Sequence, residues 1–182
     1  DQKPLRAGKG SYYEGGIREP FVVVWKSKIE ENSKSETPVS HLDIFPTILP
    51  AASISEYNGL LDGTDLFPIL TKKQNNIDRS LFWHFPVYIQ SKKWKNFKNE
   101  NRDSLFRTRP GSVIRKGDWK LHYYFEDKSV ELFNLKHDIG EKNNVAQKNL
   151  VIVSKLKKEL ENWWNNTQAA IPSQKNTKFL IN

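Results

Sequence analysis

"PLRAGKGSYYEGGIREPFVVVW", residues 4–25, leads from a glycine-rich segment into a short apolar run, and its reading decides the fold. Residues 8–20 hold four glycines, with Lys9 between two of them. A P-loop requires G-x-x-x-x-G-K-[ST] after a strand, whereas here Lys9 is followed by Gly10 and position 4 is proline. The glycines of a dinucleotide-binding fingerprint lead from a strand into a helix, whereas these precede the apolar run. What remains is glycine that allows close backbone approach or positive φ, with a lysine able to set its ammonium on an anion. On composition alone, a flexible surface loop with a solvated lysine is the competing reading. The run Phe21–Trp25, "FVVVW", predicts a buried strand in a sheet covered on both faces.

Outward from this stretch, "KSKIEENSKSETP" reads as a polar loop. Ser40 to Ala52, "SHLDIFPTILPAA", opens with a capping-box spacing at Ser40 and Asp43 and continues with Ile44, Ile48 and Leu49 at helical spacing. Pro46 suits a first turn and Pro50 ends or kinks the helix. "LLDGTDLFPIL" predicts a turn at Asp62-Gly63 and then a short helical turn, and "TKKQNNIDR" is a polar connector and the best boundary. Beyond it the pattern changes to short aromatic and β-branched segments, "SLFWHFP", "SVIRKGDWKLHYYFED" and "SVELFNL", which read as antiparallel hairpins. A basic insertion dotted with Trp94 and Phe97 reads as an exposed loop, with gripping of an anionic polysaccharide as the alternative. Leu150, Val153, Leu156, Leu160, Trp163 and Trp164 form the stripe of a helix capped by Asn149, suited to covering the hairpins. The last residues, "IPSQKNTKFLIN", read as a surface tail.

A chain of 182 residues with 37% hydrophobic residues folds around a core and is not globally disordered. Its formal charge of +8 favours anions without choosing among nucleic acid, lipid and sulfated sugar. The absence of cysteine excludes disulfides, thiolate metal sites and a cysteine nucleophile within the chain. No apolar run approaches the ~18–20 residues that a membrane helix needs. Four scattered histidines without ligand spacing make a metal site within the chain unexpected, and His41, His122 and His137 read as structural. Asn165-Asn166-Thr167 is an acceptor sequence for N-glycosylation, of weight only in a secretory setting. With no methionine, the sequence opens as a fragment would.

The ordered motifs carry a resemblance. "PLRAGKGSYYEGGIREPFVVVW" resembles the block before the last major strand of the catalytic domain in type I sulfatases, the arylsulfatase family. "SHLDIFPTIL" is similar to the family's helix with an Asp-x-x-Pro-Thr core, and "LDGTDLFPIL" to its Asp-Gly segment. "RSLFWHFP", "VIRKGDWKL" and "ELFNLKHDIGEKNNVA" resemble successive strands and a turn of its small C-terminal subdomain. The match runs in order over roughly residues 4–172. It departs from the family at Pro50, where the helix usually continues, and at Ser53, where glycine often stands.

The resemblance implies an α/β fold of the alkaline-phosphatase type. Residues 1–79 are then the C-terminal end of the catalytic domain, and 80–182 a subdomain of antiparallel strands packed on a helix at about 149–168. It implies sulfate-ester hydrolysis by a formylglycine, made from a Cys or Ser in C/S-x-P-x-R, beside a Ca²⁺ held by Asp and Asn. Neither motif is present; "SETPV" lacks the arginine, so the nucleophile and metal ligands are expected outside this chain and the chain alone is expected to be inactive. By this resemblance Lys9 is catalytic and contacts the substrate sulfate, His84 is a candidate for a sugar hydroxyl or the leaving oxygen, and Glu14 and Arg18 hold the loop as an ion pair or backbone clamp. A packed aromatic-cluster histidine is the other reading of His84. The implied partners are a sulfated carbohydrate or aryl sulfate and the rest of the same protein, with no nucleic acid and no membrane span, and the implied setting is periplasmic or secreted. A non-catalytic basic module for sulfated glycans or other polyanions is the alternative from another functional class; a related phosphoester hydrolase is disfavoured by the Gly-Lys-Gly block.

Overall fold

The computed structural model describes residues 2–90, 102 and 106–174. The Trp94–Phe97 segment and the end of the tail lie outside these residues. Two compact units are present, one of residues 1–19 and 80–182, the other of residues 20–79. The opening segment therefore belongs to the same compact unit as the hairpins, a different division from the cut between 79 and 80.

The first unit is built on a four-stranded antiparallel sheet. Its strands are β1 (Ser80–Phe85), β4 (Gly111–Lys116), β5 (Trp119–Tyr124) and β6 (Val130–Asn134), paired in the order β1-β4-β5-β6. The short strands β2 (Ile89–Gln90) and β3 (Phe106–Thr108) form a separate pair. Lys116 pairs with Trp119, so Gly117 and Asp118 alone make the first hairpin loop. The loop from β5 to β6 lacks glycine, and Lys128 takes the left-handed conformation there with φ 58°.

The 18-residue helix α4 (Leu150–Thr167) covers one face of this sheet. Leu156 and Leu160 are buried with Ile114, Leu121, Tyr123 and Leu132, and Trp163 and Trp164 pack against them. Each fully buried leucine contributes about 1.5–3 kcal/mol. Two expectations are corrected. Leu150 faces solvent and Ile152 packs on the core in its place, because at 3.6 residues per turn Ile152, four positions before Leu156, shares its face and Leu150 does not. Asn149 stands at the N-cap position, but its side-chain amide donates to the Val145 carbonyl and caps no helical N–H.

Side chains alternate along a strand, so Leu121 and Tyr123 face α4 while Lys120, His122 and Tyr124 face the other way. That second face is covered by the opening segment, through Tyr13 and the short helix α1 (Glu14–Ile17). A sheet covered on both sides explains why β4 and β5 are buried almost continuously instead of at every second residue.

The second unit has helices α2 (Ile44–Ala51) and α3 (Phe67–Leu70) and no strand. Phe21–Trp25 is therefore not a buried strand: the segment is unpaired, with Val22 and Val24 more than 80% exposed. A strand exists only through a ladder to a neighbour, and residues 20–79 supply none. Around Asp43 the unit is tightly tied. Ser40 and Asp43 form a full capping box on a single 3-10 turn ahead of α2. The Asp43 carboxylate also accepts from the Thr64 N–H and both Arg79 terminal nitrogens. Thr47 donates its hydroxyl to the Asp43 carbonyl and accepts from the Leu66 N–H, which joins α2 to the segment before α3. Pro50 lies in the last turn of α2, and Ser53 follows with φ 61°, while the Ile54 N–H bonds back to the Leu49 carbonyl. This is a helix ending that favours glycine.

Candidate functional site

Lys9 stands on a tight turn. The Ser11 N–H donates to the Gly8 carbonyl at 3.1 Å, and Gly10 has φ 88°. Positive φ at the third residue is the mark of a type II turn, which glycine satisfies without steric cost. Lys9 is the second residue of that turn and is exposed to solvent.

The turn rests on α1. A Cβ on Gly15 would fall 2.4 Å from the Arg6 carbonyl oxygen, and one on Gly16 would fall 2.2 Å from that of Ser11 and 2.7 Å from that of Gly8. Only glycine allows the helix backbone to lie against the turn at this distance.

Behind α1 is a buried charge cluster. Lys120 Nζ lies 2.9 Å from Glu14 Oε1 and 2.9 Å from Glu141 Oε1, with all three side chains buried. Arg115 approaches the other Glu14 oxygen at 3.7 Å. Glu141 accepts the Glu14 N–H at 2.6 Å, and the Arg6 guanidinium donates to the Glu141 carbonyl at 2.8 Å while lying over the Tyr13 ring. Two cations thus face two carboxylates, a balance without which burial of the charges would be costly. Burial raises the Glu141 carboxyl, but the His122 hydrogen bond, the Lys120 charge and the Glu14 N–H outweigh it and hold the group below its ordinary value. His122 is pushed down, chiefly by burial, so its ring is neutral at pH 7. Its Nε2 lies 3.2 Å from Glu141 Oε1; since a carboxylate only accepts, Nε2 carries the proton. Tyr13 donates to Glu131 at 2.7 Å and is raised by burial first and the Glu131 charge second.

Glu14 therefore sits in an ion network with Lys120 rather than beside Arg18. Arg18 is exposed, and its backbone N–H, not its side chain, bonds to the Glu14 carbonyl. His84 lies elsewhere in the unit, at the end of β1. Its Nδ1 is 2.6 Å from Ser112 Oγ and its Nε2 3.0 Å from the Ala170 carbonyl. The carbonyl fixes the proton on Nε2, so Nδ1 accepts from Ser112, whose oxygen in turn accepts from Trp164 Nε1 at 2.9 Å. The ring meets Phe125 and Trp163 edge-on. Both ring nitrogens are engaged within the protein.

Lys120, Glu141 and Arg107 escaped the sequence reading. A lysine inside "DWKLHYY" carries no mark of burial until the second cover of the sheet is known. Arg107 donates to the Lys9 carbonyl at 3.3 Å. It belongs to β3, beyond any quoted motif. Among the described residues no group of three His, Asp or Glu side chains could hold a metal ion. These residues do not fit a calcium site. Nor, among them, is any helix long and apolar enough to cross a membrane.

Residues 8–166 match the sequence model of a family described as N-sulphoglucosamine sulphohydrolase, C-terminal. The chain is 33% identical over 183 residues to a sulfatase of Formosa agariphila, covering 90% of this chain and 30% of that protein. It is 40% identical over 120 residues to human arylsulfatase A, covering 66% of this chain and 20% of that protein. Among solved structures, Ps i-CgsB in complex with k-i-k-neocarrahexaose superposes with a TM-score of 0.71 at 28% identity, over 96% of this chain and 35% of that one. The chain thus spans about a third or less of the length of these relatives.

Proposed function

The chain belongs to the sulfatase family through its N-sulphoglucosamine sulphohydrolase C-terminal region, and from that premise we propose that it supplies the Lys9 side of a site that hydrolyses sulfate esters of carbohydrates. The observation that carries this reading is the Lys9 turn, exposed at its tip and fixed from behind by the Glu14–Lys120–Glu141 cluster.

An ammonium held there meets a sulfate oxygen as a compact point charge. It stabilises the charge that develops as the ester bond to the leaving oxygen breaks, and the rigid turn means little reorganisation is needed during reaction. Sulfated carbohydrate is favoured because Ps i-CgsB is seen in complex with k-i-k-neocarrahexaose and because the chain carries +8. His84 joins such a substrate only by releasing the Ala170 carbonyl, since both its nitrogens are otherwise taken. Glu14 acts through position, as the anchor of α1, and Arg18 through its backbone.

On this reading the formylglycine, the calcium and its ligands belong to the remainder of the protein, which also covers the exposed apolar side chains of residues 20–61. The chain alone then turns over no ester, and the full-length protein works in the periplasm or outside the cell.

The test is 4-nitrophenyl sulfate hydrolysis by the full-length protein and its Lys9→Ala variant. Loss of one preorganised charge should lower kcat by about 10²–10³-fold with the melting temperature unchanged. Activity near wild type in the variant removes Lys9 from the site. Binding of sulfated glycans without hydrolysis by the unmodified full-length protein would favour the non-catalytic basic module instead.

A further inference from the structure

Three arginines lie around the shallow cleft lined by Ser11, Tyr12, Phe106 and Thr108. Two are neutralised: Arg109 pairs with Glu126, and Arg102 pairs with Asp127 while lying over the Tyr124 ring. Arg107 differs. No carboxylate among the described residues lies within ion-pair distance of it, and its hydrogen bond goes to the carbonyl of Lys9. Its stem lies against the same turn, for a Cβ on Gly10 would be 3.4 Å from Arg107 Cδ.

The position of this guanidinium is thus tied to the turn that carries Lys9. One hydrogen bond to a carbonyl uses one of five N–H donors and none of the charge. A planar fork with spare donors is suited to two oxygens of one sulfate or carboxylate.

We propose that Arg107 is a second anion-binding residue, which takes a sulfate or carboxylate on the same glycan as the ester held by Lys9. This rests on the reading of Lys9 as the sulfate-contacting lysine. The site would then favour sugars that carry two anionic groups over those with one, and Arg107 would act in recognition, not in the bond-breaking step.

The experiment is calorimetric titration of the full-length protein with three probes: inorganic sulfate, a disulfated disaccharide, and a disaccharide with one sulfate and one carboxylate. Arg107→Ala should weaken a two-anion probe by about 10–100-fold, the loss of one charge-assisted contact, and inorganic sulfate far less. Arg107→Lys should restore part of the loss, since charge returns without the fork. Loss confined to one disaccharide identifies the second anion as sulfate or carboxylate. Equal weakening of all three probes, or no weakening of either disaccharide, overturns the proposal. Lys9→Ala, run in parallel with 4-nitrophenyl sulfate turnover, separates the two readings: if inorganic sulfate binds it as it binds wild type and turnover persists, the Lys9 reading itself has failed.

Discussion

The two units treat their interior in opposite ways. In the unit of residues 1–19 and 80–182 the sheet is closed on both faces, by α4 and by the opening segment, and its polar side chains are buried in pairs. In residues 20–79 the Asp43 carboxylate is held by Ser40, Thr64 and Arg79, while side chains such as Val22, Val24 and Ile48 face solvent. On the reading proposed above, the remainder of the protein covers these side chains. The contrast, on that reading, is between a sheet covered on both faces from within the chain and a segment whose apolar side chains meet a neighbour outside it.

The sharpest way to break the contrast is to remove the centre of the closed unit. Lys120→Ala leaves Glu14 and Glu141 buried without their shared cation, at a cost of about 3–5 kcal/mol. Denaturant melts of the purified chain should show that unit unfolding at much lower denaturant. An unchanged midpoint would mean that the cluster contributes nothing to stability. Asp43→Asn removes the charge that holds Arg79 and should cost less, about 1.5–3 kcal/mol, because Arg79 keeps some solvent. The same melts, read at amides of residues 40–66, check it.

Acid should then separate the units. His122 is depressed from 6.5, so its neutral form favours folding above that value, and the contribution is lost as pH falls below it. Glu141, depressed from 4.5, adds a second loss of the same sign below that value. In the other unit, burial tends to raise Asp43, but the Arg79 hydrogen bond, the Ser40 and Thr64 N–H groups and the Arg79 charge outweigh it. Its contribution is therefore lost only below 3.8. Amide spectra recorded from pH 7 to 3 should show the closed unit weakening first, and loss of residues 40–66 before it would contradict the assignment. The smallest effect expected is at Ser53, whose positive φ disfavours an L side chain. Ser53→Gly should raise the melting temperature slightly, by a gain of about 0.5–1 kcal/mol.

Local features were legible in the sequence. The Ser40–Asp43 box and most of the α4 stripe depend on residues a few positions apart. What the sequence hid depends on distant partners. The cover for the second face of the sheet arrives from residues 6–17, more than a hundred positions from β5, so Lys120 and His122 look like ordinary polar strand residues. "FVVVW" has the composition of a strand, but composition does not supply a ladder partner. Lys9 was readable through the resemblance alone, because a lysine between glycines has no further signature. Arg107 had none, its role arising from where β3 sets it beside the turn.

Hydrogen exchange at the amides of residues 21–25 and 111–124 tests the contrast most directly, in this chain alone and in the full-length protein. The account predicts slow exchange at 111–124 in both, and fast exchange at 21–25 in the chain alone that becomes slow in the full-length protein. Equally fast exchange at 21–25 in both would contradict it, since the exposed run would then have no neighbour to meet.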